Sequence, residues 1–218
     1  MSFVNLHTHS YSKSEKVLEI VNQYPWDFKE DFPTYSIGIH PWYISENRLI
    51  EDLLTIEQKL RLTECLALGE CGLDKRIEIP MQLQIEIFEK QILLAEKFQK
   101  PVILHLVAAF DELIEIKNRL QISVPMIVHG FSKSKELAKQ LMDNGMFLSF
   151  GKYLIQNENL KDVFLSVPEN RYFLETDSSD YKIEEVYSLV AKYKNQNILE
   201  IQKQVENNFK SVFTSAEF

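Results

Sequence analysis

Short apolar runs that alternate with longer amphipathic stretches constrain this chain more than any other feature. The runs fall near residues 3–7, 17–21, 34–39, 65–70, 101–105, 125–129, 146–150 and 171–175. Between them, Glu46 to Leu62 carries Leu49, Ile50, Leu53, Leu54, Ile56 and Leu60 with charges interleaved, an amphipathic helical pattern. Pro80 opens a second helix that Lys100-Pro101 stops. Phe110 to Leu120 and Ser134 to Asn144 follow, the latter with a Ser N-cap and Gly145 as its stop. Ile183 to Tyr193 and Ile198 to Phe213 complete the set. Such alternation predicts a parallel sheet with right-handed crossovers. Eight units would close as a (β/α)8 barrel of the TIM type, with its site at the C-terminal ends of the strands. The segment 10–34 is too short for a full crossover helix and strand, so the barrel is expected to be trimmed or distorted after strand 1.

Chemistry collects at the strand ends. His7 and His9 close Phe3-Val4-Asn5-Leu6, and His40 ends Tyr35-Ser36-Ile37-Gly38-Ile39. His105 ends Val102-Ile103-Leu104 and His129 ends Met126-Ile127-Val128, which accounts for all five histidines. Glu70 closes Leu66-Ala67-Leu68-Gly69, and Asp177 follows Tyr172-Phe173-Leu174-Glu175-Thr176. Residues two apart on a strand share a side, so His7 and His9 reach the barrel mouth together. A carboxylate such as Glu70 is costly there without a cation. Mixed imidazole and carboxylate ligands point to a divalent metal centre suited to zinc, manganese or magnesium.

A chain of 218 residues, 45% hydrophobic, can bury one good core and is read as a single domain, 1–218. Its formal charge of -8 argues against broad nonspecific affinity for a polyanion, but leaves room for a small basic rim or for bound cations. Cys65 and Cys71 would lie roughly 20 Å apart on an extended strand, beyond disulfide reach. Two reduced thiols suit a cytoplasmic protein. Met1-Ser2-Phe3 runs straight into the first strand without a leader pattern, and no stretch approaches a membrane span. No membrane association and no obligate protein partner are expected.

Six motifs in order resemble the TatD-like metal-dependent hydrolases, within the wider amidohydrolase-type barrels. They are Asn5-Leu6-His7-Thr8-His9, Gly38-Ile39-His40-Pro41-Trp42, Leu68-Gly69-Glu70-Cys71-Gly72-Leu73-Asp74, Pro101-Val102-Ile103-Leu104-His105, Val128-His129-Gly130-Phe131-Ser132 and Leu174-Glu175-Thr176-Asp177. The resemblance implies that His7, His9 and Asp177 hold one of two divalent metal ions and His105 and His129 the other. Glu70 would bridge them, Asp177 would orient or deprotonate the attacking water, and His40 would face the substrate phosphate. Phosphodiester hydrolysis of the deoxyribonuclease type follows, with DNA or another phosphoester as substrate. The chain departs from the family at Asn5, where an acidic residue is usual, and at Val107, where an Arg is usual. It departs again at Lys133 and over Asp177-Ser178-Ser179-Asp180.

Other readings stand beside these. His40 could pack on Trp42 and Tyr43, and those two rings could stack on a base or cover a loop. Asp74, Lys75 and Arg76 read as a solvated loop. The runner-up function is a same-fold hydrolase of a small ester, lactone, amide or phosphate. A barrel that keeps its metals but serves as a binding scaffold is the third.

Overall fold

The computed structural model describes residues 2–213. Eight strands lie side by side in chain order: β1 (Phe3–Thr8), β2 (Val17–Gln23), β3 (Tyr35–Ile37), β4 (Cys65–Asp74), β5 (Val102–Val107), β6 (Met126–Val128), β7 (Phe147–Phe150) and β8 (Tyr172–Leu174). A parallel bridge between Thr8 and Asp177 joins the end of β1 to the residues just after β8. This is the strand order of the expected (β/α)8 barrel. The helices are α1 (Leu49–Lys59), α2 (Met81–Phe98), α3 (Phe110–Arg119), α4 (Lys135–Asp143), α5 (Lys152–Gln156), α6 (Leu160–Leu165), α7 (Ile183–Lys194) and α8 (Ile198–Val212). The early trimming is present as well: β1 to β2 has no helix, and β2 to β3 has only a 3-10 turn, Pro25–Asp27. Among the described residues, no helix is long and apolar enough to cross a membrane.

The chain divides into two compact units. The first takes the described residues up to Val21 and those from Ile127 on. Its core holds Leu6, Leu148, Phe150, Phe164, Tyr172, Phe173 and Phe209, with α7 and α8 packed on β1 and β8. The fully buried Tyr187 of α7 ties into β1, its hydroxyl donating to the Val4 carbonyl at 3.0 Å and accepting the Val4 N–H at 3.1 Å.

The second unit runs from Asn22 to Met126 around β4, whose ten residues are all buried. Gly72 of β4 faces His105 of β5 in register, at φ +148°. A Cβ there would lie 1.9 Å from the His105 carbonyl oxygen, so the two strands approach this closely only with glycine. Two buried amides of α2 pair with strand-end backbone. Gln91 accepts the Ile39 N–H at 2.7 Å and donates to its carbonyl at 3.2 Å. Gln84 accepts the Asp74 N–H at 2.8 Å and donates to its carbonyl at 3.0 Å. Cys65 and Cys71 are buried free thiols, and burial pushes Cys65 up to about 12.

Candidate metal centre

In the first unit β1 delivers His7, fully buried, and His9 just beyond it. His129 follows β6, with its ring 4.5 Å from that of His7. Backbone pairing sets Asp177 opposite them: its N–H donates to the His7 carbonyl at 2.9 Å, and His9 N–H donates back to the Asp177 carbonyl at 3.2 Å. The Nε2 atoms of His7 and His9 stand 3.8 Å and 3.6 Å from Asp177 Oδ1. One ligand atom each from His7, His129 and Asp177 falls within 4.8 Å of the others.

Asn5 supports this arrangement from below. Its Oδ1 accepts the Thr176 N–H at 3.0 Å while its Nδ2 donates to Thr176 Oγ1 at 2.9 Å. An amide does both at once; an ionised carboxylate in its place could only accept. Lys152, at the start of α5, donates from Nζ to Asp177 Oδ2 at 2.6 Å. Burial pushes the Asp177 carboxyl up, but His129, His7 and Lys152 outweigh burial and hold it below the usual range. Burial likewise pulls the Lys152 ammonium down, and its bond to Asp177 more than offsets this.

In the second unit Glu70 lies within β4, 4% exposed, its N–H bonded to Asn22 Oδ1 at 2.7 Å. Glu70 Oε1 lies 3.0 Å from His105 Nδ1 and 3.2 Å from His40 Nε2. Asp74 Oδ2 takes the other face of His105, 3.2 Å from Nε2, and accepts the Trp42 indole N–H at 2.8 Å. His40, Glu70 and His105 also bring ligand atoms within 4.8 Å of one another.

Hydrogen bonding separates the roles of the two imidazoles. His40 Nδ1 accepts the Trp42 backbone N–H at 3.1 Å, so a neutral ring carries its proton on Nε2 and acts there as a donor. That suits a carboxylate or phosphate oxygen better than a metal. His105 has a carboxylate at each nitrogen, Glu70 at Nδ1 and Asp74 at Nε2; were Glu70 to share a cation with this ring, Nδ1 would be the ligating nitrogen and Asp74 would hold the proton on Nε2. Glu175, 1% exposed, stands 3.4 Å from His129 Nδ1 and accepts the Gly130 N–H at 2.7 Å. It bears on His129 as Asp74 does on His105. Each donor set therefore joins imidazole to carboxylate with a further buried carboxylate behind one histidine, a chemistry that fits a divalent cation.

Sequence reasoning missed Glu175, Asn22 and Lys152, and it misjudged Asp74. Far from lying in a solvated loop, Asp74 is the last residue of β4 and 3% exposed, held by Trp42, Gln84 and the Arg76 N–H. Lys75 and Arg76 do lie outside the strand.

Chain-order parallel strands with His and carboxylate clusters on them and just beyond them define a class: a TIM-type barrel carrying candidate metal sites. The family model described as "TatD related DNase" matches residues 1–214, and the chain belongs to that family. It is 33% identical over 158 residues to a Haemophilus influenzae protein named "Uncharacterized metal-dependent hydrolase", covering 68% of this chain and 60% of that one. It is 27% identical over 172 residues to the "3'-5' ssDNA/RNA exonuclease TatD" of Erwinia tasmaniensis, covering 76% and 64%. The match thus spans about three fifths of the length of these curated relatives. In fold, the chain is similar to the crystal structure of YJJV, a TatD homologue from Escherichia coli K12. The TM-score is 0.82 at 22% identity, over 97% of this chain and 98% of that one.

Proposed function

We propose that this chain is a single-domain, cytoplasmic, divalent-metal-dependent hydrolase that cleaves phosphodiester bonds of DNA or a related phosphoester. The observation that carries the reading is the convergence of His7, His129 and Asp177 within 4.8 Å, with the carboxylate kept ionised by its neighbours. These three, with His9, would hold one ion and Glu70 and His105 Nδ1 another, which differs from the sets the resemblance implied in moving His129 to the first ion and in giving Glu70 to the second alone. Zinc or manganese suits the mixed ligands better than magnesium. Bound cations of this kind acidify a water and offset charge building on phosphoryl oxygens.

The protein's own groups do the rest. Asp177 accepts the proton of the attacking water and Lys152 fixes the orientation of its carboxylate. His40 Nε2 donates to a phosphoryl oxygen. The exonuclease name of the Erwinia relative supports a nucleic-acid substrate. A second reading, hydrolysis of a small ester, lactone, amide or phosphate monoester, draws on Val107: this position at the end of β5 supplies no cation for a polyanion.

The test combines elemental analysis of the purified protein with hydrolysis of single-stranded DNA and of a small-ester panel, each with and without chelator. Metal-dependent release of nucleotides supports the first reading. Hydrolysis confined to small esters replaces it with the second, and a metal-loaded protein inert on both sinks the enzyme reading altogether.

A further inference from the structure

Two large aromatic rings stand half in solvent at the rim of the second cluster: Trp42 is 53% exposed and Tyr43 45%. Exposed aromatics are ordinarily free to turn, yet both of these are fixed. Trp42 sits in a 3-10 turn, Pro41–Tyr43, that is capped by His40, and its indole N–H is tied to Asp74 Oδ2 at 2.8 Å. Its ring lies 5.6 Å from that of His105 and 5.0 Å from that of His40. Tyr43 leans edge-on against Tyr24 at 5.4 Å and Trp26 at 5.9 Å, which are stacked on each other at 4.9 Å. Arg48 closes the back of this group, its guanidinium 4.5 Å over Trp26 and its Nη2 donating to the Tyr43 carbonyl at 3.1 Å.

Resting on the phosphodiester reading, we infer that Trp42 and Tyr43 form a nucleobase subsite. An unpaired base stacks on the open face of Trp42 while the phosphate beside it meets His40 Nε2. Three observations converge on a base rather than another planar group or a protein surface. The ring abuts His40, the imidazole proposed to meet the phosphate, so ring and phosphodiester share one ligand. Stacking on a ring that is already immobilised costs little ordering. The platform presents exposed aromatic rings, and stacking on a ring accepts any base of a single strand. Contact with a stack of paired bases would bury neither face of a base, so the subsite requires a frayed or unpaired nucleotide.

The test compares a single-stranded oligonucleotide with the same strand carrying abasic residues at the nucleotides flanking the scissile bond. Wild-type protein loaded with metal is expected to cleave the natural strand with a kcat/KM roughly tenfold or more above the abasic one. Trp42→Ala brings that ratio to about one, and Trp42→Phe, which keeps the ring face but not the bond to Asp74, preserves most of it. In chelator, a 2-aminopurine at the flanking position should be quenched by the wild type and by Trp42→Phe but not by Trp42→Ala. Equal cleavage of natural and abasic strands by the wild type overturns the subsite while leaving the nuclease reading intact. So does a Trp42→Ala defect that is the same on both strands. No cleavage of either strand overturns both.

Discussion

Asp74 and Glu70 grip opposite nitrogens of one imidazole, that of His105, at 3.2 Å and 3.0 Å. Because Asp74 also accepts the Trp42 indole proton, its oxygen is aimed before any ligand arrives. Asp74→Asn keeps a carbonyl oxygen for Trp42 but offers His105 a weaker acceptor and can present an amide donor instead. Metal affinity at this cluster should fall roughly 10- to 100-fold while the melting temperature changes little. Calorimetric metal titration of the purified variant reads this directly, and unchanged affinity would remove Asp74 from the site.

Lys152 acts on the other cluster with opposite consequences for binding and turnover. Its ammonium repels a cation that shares Asp177, so Lys152→Met should tighten metal binding, roughly tenfold. The same change releases the carboxylate oxygen that Lys152 orients, and kcat should fall. Tighter metal with slower hydrolysis is the expected pair; weaker metal binding would show Lys152 to be merely structural.

The contact between Gly72 and the His105 carbonyl leaves no room for a side chain. Gly72→Ala should destabilise the protein by at least about 3 kcal/mol, because the obstruction is backbone and cannot swing aside. Urea denaturation followed by circular dichroism measures it.

Away from the clusters, Glu96 secures the turn after α3, accepting the N–H groups of Ser123 at 2.9 Å and Val124 at 3.1 Å. Partial burial raises this carboxyl, but the bonds from Ser123 and Val124 outweigh it and hold it below its ordinary value. A carboxyl depressed in the folded state stabilises above its unfolded pKa, and that contribution is lost as pH falls through the folded value. Glu96→Gln should cost about 1 kcal/mol at neutral pH and progressively less in acid. The difference between the two unfolding curves, followed from pH 7 downward, tests the sign.

Much of this was readable from the chain because apolar runs flanked by polar residues mark strands whatever their neighbours. The ligand-type residues were legible for the same reason: each ends such a run. Where the reading failed, the cause is local and physical. Stopping β4 at Glu70 cast Asp74 as solvated, whereas the strand runs on through Gly72, a glycine at a close approach. Helices α5 and α6 have five and six residues, too few to display a 3.6-residue period. Glu175 meets His129, and Lys152 meets Asp177, across 46 and 25 positions that no spacing rule connects. Nor does any rule connect Gln84 and Gln91 with backbone groups of other elements.

The discontinuous make-up of the first unit bears on how the protein emerges from the ribosome. Residues Asn22 to Met126 become available as one uninterrupted stretch, whereas β1 waits for α7 and α8, which pack on it. Throughout that interval a nascent chain carries an apolar strand without the helices that cover it. Truncated products that stop short of α7 should therefore be the aggregation-prone species and the natural clients of a chaperone.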